Sequence, residues 1–316
     1  MTSPTLRIGW IGAGRMGTQL ATRLIQAGYD VAVYNRTASK AQPLADLGAT
    51  IVERPADLAD RDLVFSMVSA SKDLETVMLG PDGLLSGDTI PRIIADSSTV
   101  SMEASANVRR EIEARGGNFL ATPVSGNPKV ISAGMLTVAV SGPRAVFDEI
   151  EPVLALFGRG VTWVGEGEVA RLVKIAHNIM LGVVIQNLAE ITVLVEKGGV
   201  KRSDFLAFLN DSVMGSVFTR YKTPALVNLD FTPTFTNVLL QKDFDLGLDA
   251  AYKLGAPMPI TSATRQVVAQ EVGAGNTELD FATLLLTVAR GAGLDLQAEN
   301  IEVSDGLEPE PEKAAS

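Results

Sequence analysis

Cysteine is missing from all 316 residues, and histidine occurs once, at position 177. The first absence excludes disulfides, thiolate nucleophiles and cysteine-held iron–sulfur clusters. The second excludes a multi-histidine metal site, so no metal is expected. Positive charge is also scarce, with 27 lysines and arginines against 37 acidic residues and a net charge of −10. That balance disfavours nucleic acid and anionic membranes as partners, and an anionic small molecule would need a local basic pocket. The apolar h-region and cleavage signal of a secreted protein are lacking near the amino terminus, where Arg7 leads straight into a strand-like run. A cytoplasmic location is expected. No internal repeat or low-complexity block precedes residues 301–316, which mix acidic residues with Pro309 and Pro311 without apolar periodicity. They are expected to form a disordered acidic tail.

What the chain does have is length and 46% hydrophobic residues, enough for two domains with separate cores. Residues 6–11 read as a buried strand, and Gly12-Ala13-Gly14-Arg15-Met16-Gly17 follows at once, opening a helical pattern that ends near Gly28. The glycines of this spacing serve a tight turn, a close backbone approach to a pyrophosphate, and close packing of helix on strand. The helix amino terminus then faces the phosphates with partial positive charge. A second strand at 30–34 completes the context for dinucleotide binding.

That second strand ends in Asn35-Arg36-Thr37, where a carboxylate would otherwise bond the adenosine ribose and repel a 2′-phosphate. With no acid there and a guanidinium beside it, NADP is expected in preference to NAD. Further strand patterns follow at 50–53, 63–68, 93–95, 118–124, 136–141 and 161–164, with helical or loop stretches between. Such alternation predicts a doubly wound, largely parallel α/β sheet. Ligands on these sheets bind outside the carboxyl ends of strands. The loops Met67-Val68-Ser69, 96–101 with Thr99, and 122–127 with Ser125, Gly126 and Asn127 are therefore candidate contacts, although each is also built of ordinary turn formers.

Residues 165–196 read as one long helix, apolar around most of its circumference, with Lys174, His177 and Asn178 near its start. At about 100° per residue these three share a face. From the helix alone, a lysine reaching solvent from a core helix and a lysine placed for chemistry read equally well. Gln186, Asn187 and Glu190 interrupt the centre and argue against a membrane span. From Val200 onward helical patterns recur at 204–210, 235–254, 261–272 and 281–288, and Gly255 and Pro257 end one of them. Lys242 lies near the apolar edge of its segment, where a solvated face is the plain alternative. Ser216, Phe218 and Tyr221, within 214–221, are plausible pocket walls. The apolar stretches 179–195 and 282–288 exceed what a small helical domain covers, so a homodimer or homotetramer is expected.

Four stretches in order resemble the β-hydroxyacid dehydrogenase family: residues 11–17, Pro123-Val124-Ser125-Gly126, Gly165-Glu166-Gly167 leading to Lys174 and Asn178, and Lys242-Asp243. The resemblance implies a Rossmann domain over 1–164 and an all-helical substrate and dimerisation domain over 165–300, with the active site in the cleft between them. It implies that Lys174 is the catalytic acid/base and that Asn178 helps hold substrate. Ser125, Gly126 and Asn127 would grip the substrate carboxylate, Thr99 would lie beside the nicotinamide, and Lys242 near cofactor and substrate. The implied activity interconverts a small β-hydroxy acid and its aldehyde or ketone.

Departures from the family pattern are Ala121-Thr122 before Pro123, Asn127 in place of a glycine, and His177 in place of a common asparagine. They change the pocket floor, so no relative's substrate carries over. The Lys-x-x-His-Asn order resembles the distantly related 6-phosphogluconate dehydrogenases. Imine reductases share the architecture with another acid at the lysine position, and a non-catalytic NADP-binding relative shares Val-Ser-Gly-Asn without the lysine. Lys174 favours a dehydrogenase over both.

Overall fold

The computed structural model describes residues 6–307, which fall into two compact units that divide between Lys174 and Ile175. In the first unit strands and helices alternate: β1 (Arg7–Ile11), α1 (Arg15–Gln26), β2 (Asp30–Tyr34), α2 (Gln42–Ala45), β3 (Thr50–Ile51), β4 (Leu63–Ser66), α3 (Ser71–Leu79), β5 (Ile93–Asp96), α4 (Met102–Ala114), β6 (Asn118–Ala121), β7 (Val124–Ser125), α5 (Pro128–Ser132), β8 (Thr137–Ser141), α6 (Arg144–Leu154) and β9 (Gly160–Gly165). The sheet order is β3-β2-β1-β4-β5-β6-β8-β7, with β9 beside β8.

Strands β1 to β6 pair in parallel, and β4 and β5 are buried at every position. Continuous burial is what helices on both faces of a parallel sheet demand. Two apolar clusters supply those faces, one around Trp10, Phe65 and Phe157, the other around Val64, Ile94 and Phe119. In α1, Gly17, Leu20, Ala21 and Leu24 recur at helical spacing and are the buried face.

The far edge of the sheet departs from the sequence reading. One strand was expected over 118–124, but Pro123 has no N–H for a ladder and the run breaks into β6 and β7. Strand β8 then runs antiparallel to both and parallel to β9. Ala121, Val124 and Ser125 nevertheless keep one register against β8, opposite Ser141, Val138 and Thr137, so Ser125 continues the line of β6.

The second unit is helical. Helix α7 (Val169–Lys197) begins in the first unit and is followed by α8 (Arg202–Asp211), α9 (Val217–Asn228), α10 (Asn237–Leu254), α11 (Pro259–Gly273) and α12 (Leu284–Gly291). The division inside α7 differs from the boundary expected at 164/165, because the helix opens among first-unit side chains. By length and composition α7 could cross a membrane, yet Ile185, Ala189 and Val193 are core residues of the second unit. Helices α7 and α10 pack closely: a Cβ on Gly182 would lie 2.3 Å from the Phe244 ring, and one on Gly247 2.1 Å from Ile179.

The carboxyl end corrects a further expectation. Residues 301–307 are not a detached tail, since Asn228 exchanges side-chain bonds with both main-chain groups of Ile301, at 2.8 and 3.2 Å, and Val303 packs on the helical core. The rest of the expected tail, 308–316, lies outside the described residues.

Candidate active site

The loop from Gly12 to Gly17 is shaped by its glycines. Gly12 has φ +105°, and a Cβ there would lie 2.2 Å from the Met67 carbonyl oxygen. A Cβ on Gly17 would lie 2.0 Å from the Gly12 oxygen, so the first turn of α1 can come this close to the loop only with glycine there. A Cβ on Gly14 would meet nothing within 4 Å. Gly14 caps α1 without a side-chain bond to the first-turn amides, leaving an open cradle at a helix amino terminus, and Arg15 and Met16 form the first turn. The cradle fits a pyrophosphate.

Asn35 has a role that the sequence does not reveal. Its Oδ1 accepts from Ala13 N at 2.8 Å and its Nδ2 donates to the Thr37 carbonyl at 2.8 Å, so the amide ties the glycine loop to the end of β2. Arg36, in contrast, is 84% exposed and pairs with Asp73 of α3 at 3.2 Å. Met67, Val68 and Thr99 are all partly buried at the carboxyl ends of β4 and β5. The Val68 amide donates to Ser98 Oγ at 2.9 Å.

Beneath these loops lies a polar cluster that sequence reasoning missed. Asp96, fully buried, accepts from Ser66 Oγ at 2.6 Å and Ser98 Oγ at 2.7 Å. Its other oxygen pairs with Arg171 at 2.6 Å. The signal available was a lone arginine inside the apolar start of α7. That start is held further by Ser141, which donates to the Gly167 carbonyl at 2.7 Å and accepts from Ala170 N at 3.1 Å. Arg109 adds a bond to Glu168 at 2.7 Å, and Glu168 holds the Arg109 guanidinium above its usual pKa despite partial burial. One turn on, Lys174 is half-buried.

Gly126 follows β7 with φ +146° and packs against Val130 and Leu136. Asn127, 6% exposed, caps α5 by accepting from Val130 N at 3.0 Å, and its Nδ2 finds no acceptor among the described residues. The departure from glycine at this position thus leaves one buried amide donor to spend.

In the second unit Asn178, 5% exposed, donates through Nδ2 to the buried Asp243, while its Oδ1 faces His177 Nδ1 at 3.1 Å. Lys242 pairs with the other Asp243 oxygen at 3.3 Å. Lys242 and Asn178 therefore converge on one carboxylate, and Asp243 was legible only as the neighbour of Lys242. Of the expected pocket walls, Ser216 caps α9 and Phe218 stacks on Phe281 at 6.2 Å between centroids. Tyr221 packs edge-on against Phe218 at 5.3 Å, and burial pushes its phenol pKa up.

Two family profiles together match residues 7–288. The NAD binding domain of 6-phosphogluconate dehydrogenase matches residues 7–165, and the NAD-binding domain of NADP-dependent 3-hydroxyisobutyrate dehydrogenase matches residues 165–288. The chain belongs to the β-hydroxyacid dehydrogenase family. Among relatives of this family member, the cytokine-like nuclear factor N-PAC of Xenopus tropicalis is 29% identical over 280 residues, 88% of this chain and 52% of its own length. The chain thus spans about half the length of that relative. Glyoxylate/succinic semialdehyde reductase 2 of Arabidopsis thaliana is 28% identical over 282 residues, covering 89% of this chain and 79% of its own. The solved structure of Mycobacterium tuberculosis 3-hydroxyisobutyrate dehydrogenase with L-serine aligns with a TM-score of 0.80 at 26% identity, covering 90% and 99% of the two chains.

Proposed function

We propose that the protein is an NADP-dependent oxidoreductase that interconverts a small β-hydroxy acid and its aldehyde or ketone. The observation that carries this reading is Lys174, half-buried one turn beyond an anchored helix start and on the same helix face as Asn178. The bound nicotinamide would supply or accept the hydride. In reduction the Lys174 ammonium gives a proton to the carbonyl oxygen as negative charge develops there, and in oxidation its neutral amine takes the hydroxyl proton.

Ser125, the amides at Gly126 and Asn127, and the unspent Asn127 Nδ2 fix the substrate carboxylate. Asn178 and His177, on the helix that carries Lys174, serve the substrate, and Lys242 serves the cofactor. The cradle of residues 12–17 takes the pyrophosphate, while Met67, Val68 and Thr99 line the nicotinamide side. Arg36, near Asn35 and Thr37, takes the 2′-phosphate. Its pairing with Asp73 is an exposed one, worth only about 0–1 kcal/mol, so the guanidinium can turn to a ligand.

The test is NADP⁺ reduction with 3-hydroxyisobutyrate, glycerate, serine, 4-hydroxybutyrate and bulkier 3-hydroxy acids, with NADPH oxidation on a cyclic imine as the rival arm. Lys174→Ala is expected to lower kcat by about 10²–10⁴-fold while cofactor affinity survives. An active alanine variant removes Lys174 from the chemistry. Arg36→Glu is expected to weaken NADPH relative to NADH by at least about tenfold, ~1.4 kcal/mol, in paired titrations. An unchanged preference overturns the cofactor assignment. A second reading is a non-catalytic NADP-binding protein, and turnover on any hydroxy acid dismisses it.

A further inference from the structure

We infer that Arg171 and Asp96 form a positioning pair, fixing the first turns of α7 to the loops after β4 and β5 and so setting where Lys174 presents its amine. This rests on the function proposed above. Arg171 is 1% exposed and Asp96 0%. The guanidinium spends its nitrogens on three elements: Nη2 on Asp96 Oδ2 at 2.6 Å, Nη1 on the Ser98 carbonyl at 2.6 Å, and Nε on Ser105 Oγ of α4 at 3.1 Å. Asp96 draws in Ser66 at the end of β4 and Ser98 after β5, and Ser98 Oγ in turn accepts from Val68 N. A single buried charge pair thereby links the helix to both cofactor-side loops.

Stability alone is a weak reason for such a pair, because a well-packed apolar pair of similar volume holds a helix as well or better. What apolar contacts lack is direction. A planar fork with acceptors on three sides fixes both the rotation of a helix and its height along its axis. Lys174 is three residues on, about 4.5 Å along the same helix, so any slip of the first turn is handed to its amine. Lys174 and the loops belong to the same compact unit. Proton transfer tolerates little slip, since a displacement of about 1 Å can cost about 10²-fold in rate.

Arg171→Lys keeps the charge beside Asp96 and discards the fork, and Ser105→Ala removes one acceptor without touching the charge. For Arg171→Lys, kcat per folded molecule is expected to fall by about 10–100-fold, with KM and NADPH affinity nearly unchanged and the primary deuterium isotope effect on kcat increased. Ser105→Ala is expected to show the same changes in smaller measure. A merely structural role would lower the folded fraction and leave kcat per folded molecule and the isotope effect unmoved. In a Lys174→Ala background, adding Arg171→Lys is expected to cost less than about threefold more, because nothing is left to position. Additive losses, or an Arg171→Lys enzyme with the parent kcat and isotope effect, overturn this proposal alone. Absence of turnover in the unsubstituted protein overturns the functional reading and this proposal with it.

Discussion

Gly12, Gly14 and Gly17 share a motif but not an environment. A methyl group on Gly17 would collide with the Gly12 carbonyl, whereas one on Gly14 meets nothing in the protein. Gly14→Ala is therefore expected to leave the thermal midpoint unchanged while lowering dinucleotide affinity by at least about tenfold. Gly17→Ala is expected to cost about 1–3 kcal/mol of stability as well. Thermal unfolding with and without NADPH separates the two, and equal behaviour of the variants would contradict the cradle. At this scale the sequence shows where special residues lie but not whom they touch. The spacing of the glycines is legible because each does something that no side chain permits. The amide of Asn35, spent on Ala13 and Thr37, is not, since its partner Ala13 is twenty-two positions away and carries no mark of the bond.

Elements were legible where a period was clean. Strands β1, β2 and β4 and helix α10 follow apolar runs of the right spacing, whereas α9 was hidden by Pro224 in its interior and by the polar start at Ser216. Helix α9 is held by a buried ion pair: Lys222 bonds Asp280 at 2.6 Å and Thr234 at 2.8 Å, and both charged residues are 1% exposed. Burial pushes the Lys222 pKa down, against the pull of Asp280. Asp280 also accepts from the amides of Thr234 and Ala282 at 2.8 and 2.9 Å, so its charge has work beyond the pair. Lys222→Ala strands that carboxylate and is expected to destabilise the helical unit by about 3–5 kcal/mol, read from denaturant unfolding. A loss below about 1 kcal/mol would show that water or rearranged neighbours replace the ammonium. Nothing in the one-dimensional pattern couples residue 222 to residue 280, which is why the pair could not be foreseen.

For the whole molecule, the order of domains was legible, and one uninterrupted helix, opening at Val169, carries the chain from the first unit into the second. Residues 301–307 misled. A segment can lack periodicity and still be held, if the main chain rather than an apolar face makes the contacts. The proposed homodimer or tetramer belongs to this scale. Met180, Leu194, Phe208 and Ile260 are each more than 60% exposed in the single chain, an amount of apolar surface that a second copy would cover. Sedimentation equilibrium is expected to give two or four times the 33.4 kDa chain mass, and a single-chain mass would end the proposal.

Arg202, buried to 1%, clasps the carbonyls of Leu226, Val227 and Gln297 together with the Glu196 carboxylate. One side chain thus staples the end of α9 to a strand of polypeptide some seventy positions downstream. Anyone shortening this chain from its carboxyl end should leave that staple closed. A stop codon ahead of Gln297 would unclasp a guanidinium in the dry interior, and the damage would be felt in helices some seventy or more positions from the cut in sequence.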